Sequence, residues 1–343
     1  MISDLLGCRY TRVKSLLGTI IAANYLTNER PLVKLLVFIN LASGLADGSS
    51  YDFIRSFAQA GDEVVIRYAA PGCEFTALLE DAESFDAVVA SGGDGTVATV
   101  LYALRNTGIP VLPFPAGTAN LLTQNLYSPI DAPALAHLAR EGRRLDCDIC
   151  ELEIGDFRTG FTMMAGCGYD ARIMYDAASS KKYLGQLAYF YSALTNPTPQ
   201  VSNFKIDIDG RHIECTGICA LLINFSKINA DLSLQPTASP CDGTLDLMVV
   251  TTETALQLLP TVAAVSLNPA FDLKRDSKAL TYYHGKEIRV EADPPMYIQY
   301  DGEPLDLTTP FTARVLPGAS RLIMGDEAYN EFTSKAKYSV DHG

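Results

Sequence analysis

The sequence predicts an α/β N-terminal domain, with a parallel sheet covered by helices on both faces, followed by a β-rich second domain. Three observations predict this arrangement. From Lys34 to about Pro115, short apolar runs alternate with helix-like stretches, which is typical of a parallel sheet. After about Leu145 the chain consists mainly of short strand-like runs separated by turns. Within the first part, the glycine-rich turn Ser91–Thr96 connects an apolar strand to a helix.

The first part contains alternating strands and helices. Ligands of such sheets bind beyond the carboxyl ends of the strands, so the loops at Asn40, Gly92 and Pro115 form the predicted binding edge. The predicted strands are Lys34 to Asn40, Glu63 to Tyr68, Ala87 to Ala90 and Pro110 to Pro113, and the predicted helices are Tyr51 to Ala60, Phe75 to Ala82 and Val97 to Arg105.

The second part is predicted to be mostly strands, with helical inserts near residues 170–178, 185–194 and 254–266. Its short apolar runs separated by turn residues favour a β-rich domain. The predicted strands are Leu145 to Ile154, Arg158 to Met164, Asn203 to Ile208, Glu214 to Phe225, Thr244 to Val250, Glu287 to Glu291 and Met296 to Tyr300.

Bulk properties exclude several classes of protein. With 343 residues, two domains are expected. The net charge of −13 argues against nucleic-acid binding, which needs a basic face. The longest apolar stretches fall short of the roughly 20 residues of a transmembrane helix. The eight cysteines include one C-x-x-C pair, Cys147 and Cys150, without the second pair of a zinc site, which favours buried thiols in a reducing cytoplasm.

The turn Ser91–Thr96 is the main candidate for a functional site. A strand that passes through glycines into a helix points backbone N–H groups and the positive helix end at one place, where phosphates bind. Asp94 would supply a carboxylate for Mg²⁺ beside those phosphates. The alternative is a simple turn, because Asp-Gly is common in hairpins. The flanking strand and helix favour the phosphate site.

A second glycine turn, Pro115–Asn120, also enters a predicted helix. In isolation it is a helix cap, with Thr118 and Asn120 offering side-chain hydrogen bonds. Beside the first turn it is predicted to form the second wall of a nucleotide cleft.

Together these motifs resemble a known family. Gly92-Gly93-Asp94-Gly95-Thr96 followed by Gly117-Thr118-Ala119-Asn120 resembles the catalytic domain of the diacylglycerol kinase, sphingosine kinase and NAD kinase superfamily. Asn40-Leu41-Ala42-Ser43-Gly44 is similar to the family's N-P-x-S-G, with leucine in place of proline.

Later motifs resemble the bacterial diacylglycerol-kinase-like lipid kinase branch. They follow the family's order, and the resemblance covers roughly residues 34–325. The motifs are Ala165–Ala171 for G-x-G-x-D-A, Lys181–Tyr189 for K-x-x-L-G-x-x-A-Y, Ala238–Asp246 for A-x-P-x-D-G-x-L-D, and Asp301-Gly302-Glu303 for D-G-E.

The resemblance implies an NAD-kinase-like ATP-binding domain over residues 31–128, to which a C-terminal segment of about 318–343 returns. It also implies a sandwich-like lipid-substrate domain over residues 129–317. Residues 1–30 are expected to form a helical extension, either an interfacial membrane helix or an amphipathic helix packed on the protein.

The resemblance also implies the cofactors ATP and Mg²⁺ and a role for each site residue. Asp301 is implied as the general base and Asp94 as the organiser of the catalytic Mg²⁺. A second Mg²⁺ is implied at Asp242 and the Leu245 carbonyl, with Glu303 near either metal. Gly92, Gly93, Gly95 and Thr96 are implied to hold the ATP phosphates, and Asn40, Ser43, Gly117, Thr118 and Asn120 to line the nucleotide cleft. Without the resemblance, Asp301-Gly302 and Asp242-Gly243 are simple turns.

Two departures from the family make the nucleotide site less polar. Ala98-Thr99 stands where the family has N-E, and Leu121-Leu122-Thr123-Gln124 replaces D-F-A-R. Three functions therefore stay open: a lipid kinase, a soluble metabolite kinase of the NAD kinase type, and a nucleotide-binding regulator with weak or no transfer. If the protein is a lipid kinase, we expect it to be cytoplasmic and peripherally associated with the inner face of the membrane. Its expected partner is a lipid substrate, and a homodimer is possible. The sequence does not name the lipid.

Overall fold

The structure, a computed structural model, describes residues 32–43, 48–59, 61–168, 199–227, 233–235, 237–254, 257, 277 and 279–336. The predicted N-terminal extension, residues 1–30, lies outside these ranges. So do the helical inserts near residues 170–178 and 185–194, and nearly all of the one near 254–266.

The first part forms a parallel sheet. Its strands β1 (Lys34–Asn40), β2 (Glu63–Ala69), β3 (Ala87–Gly92) and β4 (Pro110–Pro115) lie in the order β2-β1-β3-β4. All six residues of β3 are buried, which explains its continuous run of small and β-branched side chains.

Helices cover both faces of this sheet. On one face, α1 (Ser49–Phe57) and a later helix, α4 (Ala132–Glu141), bury Phe53, Phe57 and Leu135 against the strands. On the other face, α2 (Asp94–Ala103) buries Val97, Val100 and Leu101. Helix α3 (Leu121–Asn125) lies between α2 and α4 in the chain and follows the second glycine turn.

The predicted helix over Phe75 to Ala82 is wrong. This segment contains two short 3₁₀ turns, Thr76–Leu78 and Ala82–Ser84. The Leu78 carbonyl accepts a hydrogen bond from Arg67 Nη1 at 2.7 Å, and Asp81 pairs with the same guanidinium. Arg67 of β2 therefore uses a carbonyl that a continuous helix would need for its own hydrogen bonding.

The second part of the chain consists mainly of strands. They are β5 (Arg143–Ile154), β6 (Phe157–Phe161), β7 (Met164–Gly168), β8 (Ser202–Ile208), β9 (Arg211–Gly217), β10 (Cys219–Ile223), β11 (Leu245–Val250), β12 (Leu280–Gly285), β13 (Glu287–Asp293), β14 (Tyr297–Tyr300) and β15 (Glu303–Thr308).

One long strand connects the two parts of the chain. β16 (Phe311–Met324) pairs in parallel with β4 near its end, at Arg321 and Leu322, and antiparallel with β5 and β13 along most of its length. A single ten-stranded sheet results, in the order β2-β1-β3-β4-β16-β13-β8-β9, with β5 and β6 attached beside β16. Helix α5 (Asp326–Lys335) follows β16.

A second, six-stranded antiparallel sheet packs on the antiparallel half of the first, in the order β12-β11-β10-β7-β14-β15. The sandwich core includes Phe161, Phe204 and Phe311 of the first sheet, and Leu222 and Ile298 of the second.

The single strand predicted from Glu214 to Phe225 is instead two strands in different sheets. β9 lies at the edge of the first sheet and β10 in the middle of the second. The chain crosses at Gly217, where a Cβ atom would lie 2.3 Å from the Val250 carbonyl oxygen. Among the described helices, none has the length and apolar character needed to cross a membrane.

Candidate active site at the glycine turns

The two glycine turns touch each other. Strand β3 ends at Gly92, Gly93 caps helix α2, and a Cβ atom on Gly117 would lie only 2.4 Å from the Gly93 Cα atom. The Ala116 N–H also donates to the Gly92 carbonyl at 3.2 Å. Glycine is therefore required at position 117 because the two backbones approach too closely for a side chain.

Asp94 joins the second turn to the first. Its carboxylate accepts the backbone N–H groups of Leu121 at 3.0 Å and Leu122 at 2.9 Å, which caps the start of helix α3. Burial raises the pKa of Asp94, and these N–H groups act in the opposite direction. Each carboxylate oxygen offers about two lone-pair positions, so each retains acceptor capacity for a Mg²⁺ ion or its bound water.

The end of β1 reaches the first turn of α2 through Thr96. The Asn40 Nδ2 group donates to Thr96 Oγ1 at 2.8 Å, and Ser43 Oγ lies 3.1 Å from the same oxygen. Thr96 also contacts Gly92, where a Cβ atom would lie 2.4 Å from the threonine Cβ. The structure thus brings Asn40, Ser43 and Thr96 together at the first glycine turn.

The amide of Asn120 closes the second turn on itself. Its Oδ1 accepts the Gly117 N–H at 2.8 Å, and its Nδ2 donates to the Gly117 carbonyl at 2.9 Å. Asn120 has a left-handed backbone with φ of 50°, which asparagine tolerates better than most residues. Thr118 is exposed at the tip of this turn.

Asp301, between β14 and β15, holds a loop of the sandwich domain. Its Oδ2 accepts the Thr162 N–H at 2.8 Å and the Thr162 hydroxyl at 3.1 Å, and its Oδ1 accepts the N–H groups of Met163 at 2.8 Å and Met164 at 3.0 Å. Burial, together with a smaller effect of the Asp94 charge, raises the pKa of Asp301 to about 6 against the effect of these hydrogen bonds.

Glu303 brings the sandwich domain to helix α2. A Cβ atom on Gly95 would lie 3.6 Å from Glu303 Cγ, an ordinary contact distance. Gly95 is in the first turn of α2, where backbone N–H groups have no partner within the helix. The carboxylate-bearing side chain therefore stands beside the helix end that the sequence predicts to bind phosphate.

Asp242 lies in a separate, buried turn. Its Oδ1 accepts the Thr244 N–H at 2.9 Å and the Thr244 hydroxyl at 2.7 Å, just before Leu245 begins β11. In the part of the chain that the structure describes, no cluster of three or more His, Cys, Asp or Glu side chains is arranged around a metal position. The contacts of Asp242 are those of a structural turn.

Sequence reasoning missed Asp148, which is buried beside this turn. Its carboxylate accepts the N–H groups of Gly243 and Gly318, each at 2.9 Å, and so links the Asp242 turn to β16. The available signal was an acidic residue within the otherwise apolar run Cys147–Cys150.

Comparison with known proteins identifies the family. Residues 34–152 match the family model of the diacylglycerol kinase catalytic domain, and residues 163–324 match that of the YegS C-terminal NAD kinase beta sandwich-like domain. A Serratia proteamaculans protein named as a probable YegS-like lipid kinase is 31% identical over 283 residues, which are 80% of this chain and 85% of that protein. The chain belongs to the YegS-like lipid kinase family.

Two other proteins are similar to this YegS-like chain over most of its length. The Bacillus subtilis diacylglycerol kinase is 26% identical over 257 residues, covering 73% of this chain and 82% of that enzyme. A Synechocystis protein described as uncharacterized is 32% identical over 250 residues, which are 69% of this chain, and the chain spans about half of that relative, 54% of its length.

A crystal structure of a diacylglycerol kinase from Bacillus anthracis shares the fold of this YegS-like chain. The TM-score is 0.70 at 21% sequence identity, and the match covers 87% of this chain and 99% of that one. The predicted superfamily and the predicted fold, an α/β domain with a sandwich-like second domain, are thus both confirmed.

Proposed function

We propose that the protein is an ATP- and Mg²⁺-dependent lipid kinase that phosphorylates the hydroxyl group of diacylglycerol or a related lipid alcohol. Membership in a lipid kinase family supports the reaction class. The observation that carries the proposal is the approach of Glu303, from the sandwich domain, to Gly95 at the start of α2. Phosphoryl transfer needs neutralisation of the phosphate charge and a carboxylate within reach of the acceptor hydroxyl, and we propose the first turn of α2 and Glu303 for these two roles.

The first turn of α2 and the two glycine turns would hold the ATP phosphates. Backbone N–H groups at a helix start bind phosphate oxygens, and the glycines permit close approach. Asp94 would hold Mg²⁺ directly or through water with the acceptor capacity that its bonds to α3 leave free. The ion, when bound, neutralises developing negative charge on the phosphates.

Glu303 is the better candidate for the general base. A carboxylate has about four lone-pair positions, and Asp301 already accepts four hydrogen bonds from the Thr162–Met164 loop. A base must offer a free lone pair to the hydroxyl group that it deprotonates. We therefore assign Asp301 to holding this loop in place, and proton acceptance to Glu303, which lies beside Gly95.

The test is label transfer from γ-labelled ATP and Mg²⁺ to a mixed lipid extract, with mass analysis of the labelled lipid. Wild type should label a lipid alcohol. Glu303→Gln should lose transfer by about 100-fold or more, as expected for removal of a general base, with unchanged melting temperature and ATP binding. Asp301→Asn should have a lower melting temperature as well as lower activity. The amide NH₂ of asparagine would face N–H and O–H donors of the Thr162–Met164 loop and could not accept their hydrogen bonds. Full transfer by Glu303→Gln would overturn the base assignment.

A wild-type protein that labels no lipid would overturn the proposed reaction. One observation favours a second function in that case, a nucleotide-binding regulator. Ala98 is fully buried, and the Thr99 hydroxyl donates to the Gly95 carbonyl at 2.8 Å, so the hydroxyl is used within the helix. Binding of ATP without turnover, measured by calorimetry, would identify this function. Labelling of NAD instead would identify a soluble metabolite kinase.

A lipid acceptor would require contact with a membrane surface, which we propose as the working location. Deletion of residues 1–28 followed by liposome co-sedimentation tests the role of the N-terminal segment. Unchanged binding would eliminate that segment as an anchor, and lost binding would support it.

A further inference from the structure

We propose that Asn125 is a positioning residue that couples the nucleotide turns to the loop supporting the acceptor side of the site. This inference rests on the proposed function and extends it to a residue outside the family motifs. Asn125 is the last residue of α3 and is 3% exposed. Its side chain contacts three segments that are far apart in the sequence.

Asn125 uses its side-chain amide to hydrogen-bond two segments of the chain. Its Nδ2 group donates to the Leu121 carbonyl at 2.8 Å and the Lys227 carbonyl at 2.9 Å, while its Oδ1 accepts the Lys227 N–H at 3.2 Å. The side-chain amide of Asn125 thus pairs with both the N–H and the carbonyl group of Lys227, as a neighbouring backbone strand would. A side chain thus holds the end of α3 against the sandwich domain.

On the proposed acceptor side of the site, Asn125 contacts Met163. The Nδ2 atom lies 4.0 Å from the sulfur of Met163, which is itself buried. The Met163 N–H donates to Asp301 at 2.8 Å, and Asp301 is two residues before Glu303. Asn125 is therefore in contact with the loop on which the Asp301–Glu303 turn depends.

Helix α3 is short. Five residues cannot form a stable helix alone, so its position must come from contacts at its ends. Asp94 holds the first end through Leu121 and Leu122, and Asn125 holds the last end. The helix thereby connects Asp94, in the first glycine turn, to the Thr162–Met164 loop that Asp301 holds.

Removal of the Asn125 link should leave the nucleotide turns intact while Glu303 loses its alignment. The Gly93–Gly117 contact and the Asp94 cap do not involve Asn125. A shift of about 1 Å in a reacting group can lower the rate about 100-fold. We expect Asn125→Ala to lower kcat about 10- to 100-fold, with the ATP dissociation constant changed less than about threefold.

Two further variants make this test specific. Asn125→Asp keeps the side-chain shape and the acceptor for Lys227 N–H but loses the donors, so it should lower kcat in the same direction without leaving a cavity. Tyr127→Phe is the matched control, because it perturbs only the outer cluster, in which Lys227 Nζ and Glu331 contact the Tyr127 hydroxyl. Its kcat should stay within about twofold of wild type, because the cluster is partly exposed and the Tyr127 hydroxyl takes no part in the Asn125–Lys227 hydrogen bonds.

Hydrogen exchange provides a measurement that does not depend on activity. In Asn125→Ala, the amides of Met163 and Met164 should exchange at least about tenfold faster, while those in the middle of α2 should be unchanged. If wild type transfers no phosphate, the proposed function fails, and this measurement still tests the link. Unchanged exchange at Met163 and Met164, or equal loss of kcat in Tyr127→Phe, would overturn the inference.

Discussion

The contact between the two glycine turns predicts a large effect for the smallest possible substitution, Gly117→Ala. The added Cβ atom would lie 2.4 Å from Gly93 Cα, 3.2 Å from Gly93 N and 2.9 Å from Asn120 Oδ1. Carbon atoms in contact are normally about 3.5–4.0 Å apart, so the turns must separate by about 1 Å. Two of the three obstructing atoms are backbone, which cannot move aside as a flexible side chain can.

The separation of the turns should disrupt the phosphate site. A misplacement of about 1 Å costs about 100-fold in rate, or about 2.7 kcal/mol of transition-state stabilisation. We therefore expect kcat/KM for ATP to fall about 100-fold in Gly117→Ala. The assay is initial-rate transfer of labelled phosphate to the lipid that the wild-type enzyme labels best, with ATP varied.

Two controls separate this effect from a general effect of alanine. Gly325→Ala places its Cβ in open space at an ordinary backbone angle, φ −76°, and should retain wild-type kinetics and melting temperature. Gly93→Ala meets Gly117 Cα at 3.7 Å, an ordinary contact, so the protein should fold normally, and any loss would report the space that the nucleotide needs. If Gly117→Ala keeps more than a third of the wild-type kcat/KM, the reasoning from backbone contact is refuted.

Three further predictions concern stability. Gly160→Ala should lower the free energy of unfolding by about 1–3 kcal/mol in urea titrations, because its Cβ would lie 2.3 Å from the ring of Tyr102, and no change would contradict the packing. Because the pKa of Asp301 is raised from 3.8 to about 6, the folded state binds its proton more tightly. Wild-type stability relative to Asp301→Asn should thus fall by up to about 3 kcal/mol between pH 4 and 6, and a flat difference would refute this. Burial raises the pKa of Glu331, but hydrogen bonds from Tyr127 and Lys335 outweigh it and lower the pKa to about 2. The stability that Glu331 adds over Glu331→Gln should therefore decline as pH falls from 5 to 3 in chemical denaturation, and a constant difference would contradict the shift.

Much of the first sheet could be predicted because its strands are continuous apolar runs bounded by turn residues. The first predicted strand, from Lys34 to Asn40, matches the observed strand β1. The segment after residue 75 could not be predicted in the same way, because its helix is interrupted by Arg67 of a different strand. The break between β9 and β10 depends likewise on the close passage of Gly217 past Val250, which no local pattern contains.

The close approach of the two glycine turns could be predicted from the sequence, whereas the hydrogen-bond partners of the acidic residues could not. Glycine spacing marks backbone that must approach closely, and Gly93 and Gly117 do meet. A carboxylate in a turn, however, can face either a substrate or backbone N–H groups. Asp301 accepts hydrogen bonds from the backbone of residues 162–164, and Thr162 lies 139 positions earlier in the chain. Asn125 and Lys227 are 102 positions apart, so their pairing has no local signal either.

The position of Glu303 beside Gly95 depends on contacts at separate places in the fold. β16 pairs with β4 and with the sandwich strands, so one continuous sheet fixes the two parts of the chain edge to edge. Tyr102 of α2 packs on Gly160 of β6, and its hydroxyl donates a hydrogen bond to Glu151 at 2.5 Å. These contacts hold the C-terminal end of α2 on the sandwich domain. Helix α3 forms the third link through Asn125. These contacts hold Glu303 of the sandwich domain beside Gly95 of α2, and the residues that make them lie outside the recognised sequence motifs.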